Sequence, residues 1–182
     1  MARARIKPTK QGLRTKFRSI RMLICDVDGV MTDGAVYISS REETKRFHVP
    51  DGLAIKGWQK LGLPVAWVSA RPSSATTKRA NELKIDYLVQ TKHGKVPAVE
   101  KLLEKTGLAW NQIAFIGDDL LDLAVMGKAG VAASPANGCH EARSIAHYVT
   151  KASGGNGAVR ELIENILKAQ GKWERLITEF AR

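Results

Sequence analysis

Asp26-Val27-Asp28-Gly29-Val30 follows directly on the apolar run Met22-Leu23-Ile24-Cys25. Two carboxylates two positions apart, ending a buried strand and preceding a glycine, are costly to assemble unless something binds there. A second acidic group, Gly117-Asp118-Asp119-Leu120-Leu121-Asp122, follows a second apolar run, Ile113-Ala114-Phe115-Ile116. Unit charges ~4 Å apart interact by ~1 kcal/mol in water and ~4 kcal/mol near a protein surface. Asp26, Asp28, Asp118 and Asp119, if brought together, therefore repel by several such amounts, and a divalent cation removes that penalty. Oxygen donors without His or Cys select a hard ion, and few protein ligands completed by water and substrate phosphate suit Mg²⁺.

These residues need a scaffold that brings distant strand ends together. Residues 20–25 read as a first buried strand. Ala35–Ser39 and Lys45–Val49 alternate on either side of the polar turn Ser40–Thr44, as in a β-hairpin. Asp51 is placed to cap a helix running to about Leu61, with Leu53, Ala54, Trp58 and Leu61 on one side. Further strands are expected at 65–68, 86–89, 113–116 and 129–132. Helices are expected at 73–83, 95–105, 120–126, 139–146, 158–169 and, as a short tail, 172–182. Gly154-Gly155-Asn156-Gly157 reads as a flexible joint. Strands alternating with helices predict a parallel sheet covered on both faces, a Rossmann-like three-layer α/β sandwich carrying a small β-hairpin flap. In such sheets ligands bind at the carboxyl ends of the strands. Asp26 and Asp28, Ser69 to Arg71, and Asp118 and Asp119 all fall at such ends, and Lys95 opens a helix that can face the same crevice.

The chain of 182 residues, 44% hydrophobic, suits one domain, expected over 19–182 with the hairpin at about 34–49 and a C-terminal segment at about 154–182. No apolar run approaches the ~20 residues of a membrane-spanning helix. Cys25 lies in a core strand and Cys139 at a loop or helix start, without a C-x-x-C partner, which fits a reducing cytoplasm. Arg3, Arg5, Lys7, Lys10, Arg14, Lys16 and Arg18 supply +7 of the net charge of +11, and residues 1–18 contain no acid. The basic excess is thus mainly terminal and predicts a mobile, solvated N-terminal arm, with no nucleic-acid partner.

The motifs resemble, in order, the four of the haloacid dehalogenase superfamily: Asp26-x-Asp28-Gly29-Val30, Ser69, Lys95, and Gly117-Asp118-Asp119-x-x-Asp122. The resemblance implies that Asp26 is the nucleophile forming an aspartyl-phosphate, with Asp28 the acid for the leaving alkoxide and then the base for water. It implies a Mg²⁺ held by Asp26, the Asp28 backbone carbonyl and Asp118. Ser69, Ala70, Arg71 and the backbone at Gly29 would contact phosphate or substrate. Lys95 would neutralise phosphate charge and steady Asp26, and Asp119 and Asp122 would support the metal shell. The short spans between motifs imply a capless member.

A closer resemblance, carried by Leu23–Gly34, Asp51-Gly52, Gly117–Asp122 and Gly154–Glu161, is to the 3-deoxy-D-manno-octulosonate 8-phosphate phosphatases. It implies a sugar acid phosphate as substrate and a homotetramer joined through the hairpins. Residues such as Gly155 and Arg160 would help close a neighbour's site. A sister group acting on nine-carbon sugar acid 9-phosphates tends to have Glu where Arg71 stands, and Arg71 suits a sugar carboxylate. Ser69-Ala70-Arg71 in place of Thr-Gly-Arg, and Pro50 in place of Arg, depart from the family pattern. The alternatives are the nine-carbon phosphatase and a non-catalytic assembly module of the same fold. The five residues Asp26, Asp28, Ser69, Lys95 and Asp118 argue against the module.

Overall fold

A computed structural model describes residues 7–40 and 42–181. Its centre is β1 (Met22–Cys25), four apolar residues without exposed surface. Such a strand can only lie between neighbours, and it pairs in parallel with β4 (Val65–Ser69) on one side and β6 (Ile113–Ile116) on the other. With β5 (Tyr87–Gln90), β7 (Val131–Ser134) and β8 (Tyr148–Val149), the sheet is six-stranded and parallel, in the order β5-β4-β1-β6-β7-β8.

Side-chain alternation divides the core. Leu23, Cys25, Val65, Trp67 and Ile116 face one layer, built from α1 (Lys10–Ser19), α2 (Val49–Lys60), α3 (Ser74–Leu83), α7 (Ala158–Ala169) and α8 (Trp173–Phe180). Met22, Ile24, Ala66, Val68 and Phe115 face the other, built from α4 (Lys95–Thr106), α5 (Leu123–Lys128) and α6 (His140–Ile145). From β1 the chain moves outward through β4 and β5, then returns to β6 on the other side. The strand order reverses between β1 and β6, so Asp26 and Asp118 flank the crevice such sheets open to ligands.

The sandwich is the one expected, and every strand of the sheet except β8 and most helices lie within two residues of their expected places. Four local expectations change. Residues 10–18, read as part of a mobile arm, belong to helix α1, capped by Thr9 Oγ1, which accepts from the Gly12 N–H at 3.1 Å. Phe17 enters the core against Tyr148, and Gln170 Nε2 donates to the carbonyls of Phe17 and Ile20 at 3.1 and 2.8 Å. Two cations there are tied to carbonyls: Arg18 Nε donates to that of Ala169 at the end of α7, and Lys16 Nζ to that of Gly130. Arg3 and Arg5 lie outside the described residues.

The hairpin is shorter and shifted. Among the described residues only β2 (Tyr37–Ile38) and β3 (Glu43–Thr44) pair there, antiparallel, with Tyr37 opposite Thr44. Residues 45–48 leave it because Phe47 bridges to Thr32 and stacks on Trp67, and Pro50 sits in the first turn of α2, where its missing N–H costs nothing. In α2, Ile55 rather than Leu53 is buried. The glycine stretch at 154–157 is no flexible joint. A Cβ on Gly154 would lie 1.7 Å from the Gly29 carbonyl oxygen, and the Gly155 N–H donates to the Val30 carbonyl at 2.9 Å. Finally β8, two residues long, carries too little pattern to be read from sequence.

Candidate active site

Each expected acid stands where its strand ends. The Asp26 N–H donates to the Ile116 carbonyl at 3.0 Å, which extends the β1–β6 ladder and aims the side chain into the crevice. Gly29, at φ +87°, turns the chain so tightly that a Cβ there would lie 2.1 Å from Asp118 Oδ2. The loop and the β6 end can meet only because that position is glycine.

Carboxylate oxygens of Asp26, Asp118 and Asp122 lie within 4.8 Å of one another. Lys95, the first residue of α4, buries its ammonium among them, 2.5 Å from Asp26 Oδ1 and 2.6 Å from Asp122 Oδ1. Asp122 Oδ2 accepts from the Asp118 and Asp119 N–H groups at 3.0 and 3.3 Å. Both oxygens of Asp122 are therefore occupied, and it orients the loop and Lys95 rather than offering a free donor. Asp118 Oδ1 is buried without a hydrogen-bond partner among the described residues. Asp119 is exposed and caps the 3-10 turn Leu120–Asp122 through the Leu120 N–H at 2.7 Å.

The electrostatics show an acid excess. Burial and the Asp122 charge push the Asp26 carboxyl up to about 6, against the pull of Lys95. Burial, then the charges of Asp26 and Asp122, push Asp118 up to about 8. Burial works to lower the Lys95 ammonium, but Asp26 and Asp122 outweigh it and raise it. One lysine does not neutralise three carboxylates. The orphaned Asp118 oxygen, beside Asp26 in an all-oxygen setting, fits a hard divalent cation.

Ser69 is buried at the end of β4, where its Oγ accepts from the Arg71 N–H and donates to the Arg71 carbonyl, both at 3.1 Å. Ala70 is the link between them. The Arg71 guanidinium, expected to face a sugar carboxylate, lies 2.5 Å from Glu43 Oε2. Gly155 packs on the Thr32–Asp33 backbone of the same chain, and its carbonyl accepts from Arg46 at 3.3 Å. Arg160 lines an apolar cavity of about 410 Å³ with Leu53, Trp173, Ile177 and Phe180, away from the acidic cluster.

One residue went unsuspected and another serves a different helix from the one expected. Lys45 has a fully buried side chain, with Nζ 2.7 Å from Asp28 Oδ1 and 3.2 Å from Thr76 Oγ1. A signal existed: in the alternation it shares the inward face with Phe47, where an unpaired cation is not tolerated. Asp51 does not cap its own helix. Its buried carboxylate accepts from the Gly157 and Arg160 N–H groups at 3.0 and 2.7 Å, so it caps α7, and His48 Nδ1 lies 3.1 Å away.

Comparison with known proteins places this geometry in a family. A family model described as haloacid dehalogenase-like hydrolase matches residues 85–162. The chain is 40% identical to the 3-deoxy-D-manno-octulosonate 8-phosphate phosphatase of Yersinia pestis, over 92% of this chain and 90% of that one. The crystal structure of the phosphatase of that name from Moraxella catarrhalis, in complex with a magnesium ion, a phosphate ion and KDO, superposes with a TM-score of 0.91. It is 38% identical, covering 94% of this chain and 99% of that one. The cobalt-bound phosphatase of Haemophilus influenzae gives a TM-score of 0.87 at 34% identity, covering 92% and 99%.

Proposed function

Because the chain belongs to the 3-deoxy-D-manno-octulosonate 8-phosphate phosphatase family of haloacid dehalogenase-like hydrolases, we propose that it hydrolyses that ester to the free sugar acid and phosphate with Mg²⁺. The observation that carries this is the convergence of Asp26, Asp118 and Lys95 on one crevice, with a carboxylate excess that calls for a cation.

Asp26 and Asp118, with the Asp28 backbone carbonyl, would hold Mg²⁺, which withdraws charge from the phosphoryl oxygens. Asp26 attacks phosphorus as the bond to the sugar oxygen breaks, and Asp28 gives its proton to that oxygen. Asp28 then takes a proton from water as the water oxygen attacks phosphorus and the bond to Asp26 breaks. Lys95 holds Asp26 in place and offsets phosphate charge, and Asp122 holds Lys95. Ser69 and the N–H groups after Asp28 receive phosphoryl oxygens, for which the Ser69 hydroxyl turns from its own loop. Catalysis of this kind is mostly positioning and charge stabilisation. Arg71 remains the cation for the sugar carboxylate, its guanidinium divided between that group and Glu43.

The same reading makes the protein a cytoplasmic homotetramer with hairpins at its centre and residues 155–160 near a neighbour's site. Tyr37 and Ile38 on β2, 61% and 79% exposed, support an apolar contact there. Sedimentation velocity checks the assembly: a tetramer is expected, and a monomer speaks against it. Phosphate release tests the activity. 3-Deoxy-D-manno-octulosonate 8-phosphate is expected to be cleaved with Mg²⁺ and not with EDTA, and faster than the nine-carbon 9-phosphate. No release, or preference for the nine-carbon ester, contradicts the reading.

A further inference from the structure

Lys45 belongs to no motif that carries the chemistry, yet it is the buried cation beside the second carboxylate of the site. Its side chain is fully enclosed, a state lysine reaches almost only when paired. The nearer of its two acidic neighbours is Asp28, whose buried Oδ1 lies 2.7 Å from the ammonium as an ion pair and has no aligned hydrogen-bond donor among the described residues; Glu43 Oε1 is 3.6 Å away and already accepts from Ser73 Oγ at 2.7 Å. Thr76 Oγ1, itself buried in α3, accepts from the ammonium and fixes it from the other side. Asp28, by contrast, stands on a turn with its side chain 26% exposed, so packing encloses it less tightly than it does Lys45.

We propose that Lys45 is the positioning residue for Asp28. It holds Oδ1 and leaves Oδ2 as the oxygen that carries the proton. This rests on Asp28 being the acid of the reaction. The hairpin that delivers Lys45 is then part of the catalytic apparatus within its own chain, whatever its outer face contacts. Arg71 and Ser73 grip Glu43, two residues before Lys45, and so tie the strand to the loop after β4. A side chain that orients an acid matters most where the departing oxygen needs a proton. An alkyl ester such as the sugar phosphate needs one, and an aryl ester such as 4-nitrophenyl phosphate does not.

The experiment is single-turnover alcohol release from both esters by the full-length Mg²⁺-loaded protein. Lys45→Met is expected to slow release of the sugar acid by about 10–100-fold, a part of the ~10²–10⁴-fold of a full general-acid contribution because Asp28 itself is kept, and release of 4-nitrophenolate less than about twofold. Equal losses on both esters make Lys45 a merely structural residue and overturn the proposal. Asp28→Asn run in parallel separates the two claims. If it too fails to discriminate between esters, the assignment of Asp28 falls; if it discriminates and Lys45→Met does not, only the role of Lys45 falls. Should Lys45→Met not fold, Thr76→Val removes only the hydroxyl behind the ammonium. A loss of about two- to fivefold confined to the sugar ester then supports the positioning role, and no selective loss overturns it.

Discussion

At the scale of single residues the site is set by crowding. Gly29 lets the β1 loop touch Asp118, and a methyl group there would have to occupy the space of its carboxylate. Gly29→Ala is expected to weaken Mg²⁺ by about 10–100-fold, as loss of a ligand's support generally does, measured by calorimetric titration. The crowding also fixes how stability depends on pH. Asp26 and Asp118 hold their protons longer in the fold than in the unfolded chain, up to about 6 and about 8. In the metal-free protein the stability these two groups contribute is therefore complete below their unfolded pKa of ~4 and is lost as pH rises through about 6 and about 8. Mg²⁺ binds the ionised form and opposes the loss. Thermal unfolding from pH 5 to 8.5 should show a falling midpoint in EDTA and a flatter profile in Mg²⁺; parallel profiles would deny a metal at these carboxylates. Asp26, Asp118 and Lys95 were legible in sequence because a buried parallel strand has one exit for its ligands. Lys45 was not, since its contact with Asp28 depends on where the hairpin ends.

At the scale of elements, the α7 N-terminus is held by a carboxylate from another helix. Asp51 is wholly buried and satisfies two N–H groups of the 157–160 turn. Asp51→Ala leaves those donors without partners and is expected to cost about 2 kcal/mol, read by urea denaturation. A change under ~0.5 kcal/mol, the range of ordinary surface substitutions, would show that the cap does not bear on stability. The tie matters to the site because Gly154 and Gly155 lie directly against the loop that follows Asp28. Sequence spacing located α2 and α7 but gave Asp51 to its own helix. A capping residue announces that a helix begins nearby, and only tertiary packing decides which one. The same holds for β8, whose Tyr148 and Val149 are a strand because β7 offers an edge.

At the scale of the molecule, charge and packing compete for residues 7–18. Counting cations made them an arm. Leu13 and Phe17, four positions apart, give α1 an apolar face that lies on α7, and burial wins over the like charges on the outer side. Phe17→Ala is expected to lower stability by about 3 kcal/mol with the turnover of folded protein unchanged, by chemical denaturation and phosphate release. A free arm would show no loss. The alternating layers were otherwise readable, since every strand of the sheet except β8 is an apolar run bounded by turn residues.

The central claim is that Asp26 takes the phosphoryl group before water does. Acid-quenching the wild-type protein during turnover of the sugar acid phosphate in Mg²⁺, then mapping peptides by mass spectrometry, tests it directly. A phosphoryl group is expected on the peptide containing Asp26, reducible by borohydride at that residue, and Asp26→Asn should show neither the adduct nor phosphate release. Phosphate released at the wild-type rate by Asp26→Asn, or full turnover with the adduct on another residue, would contradict it.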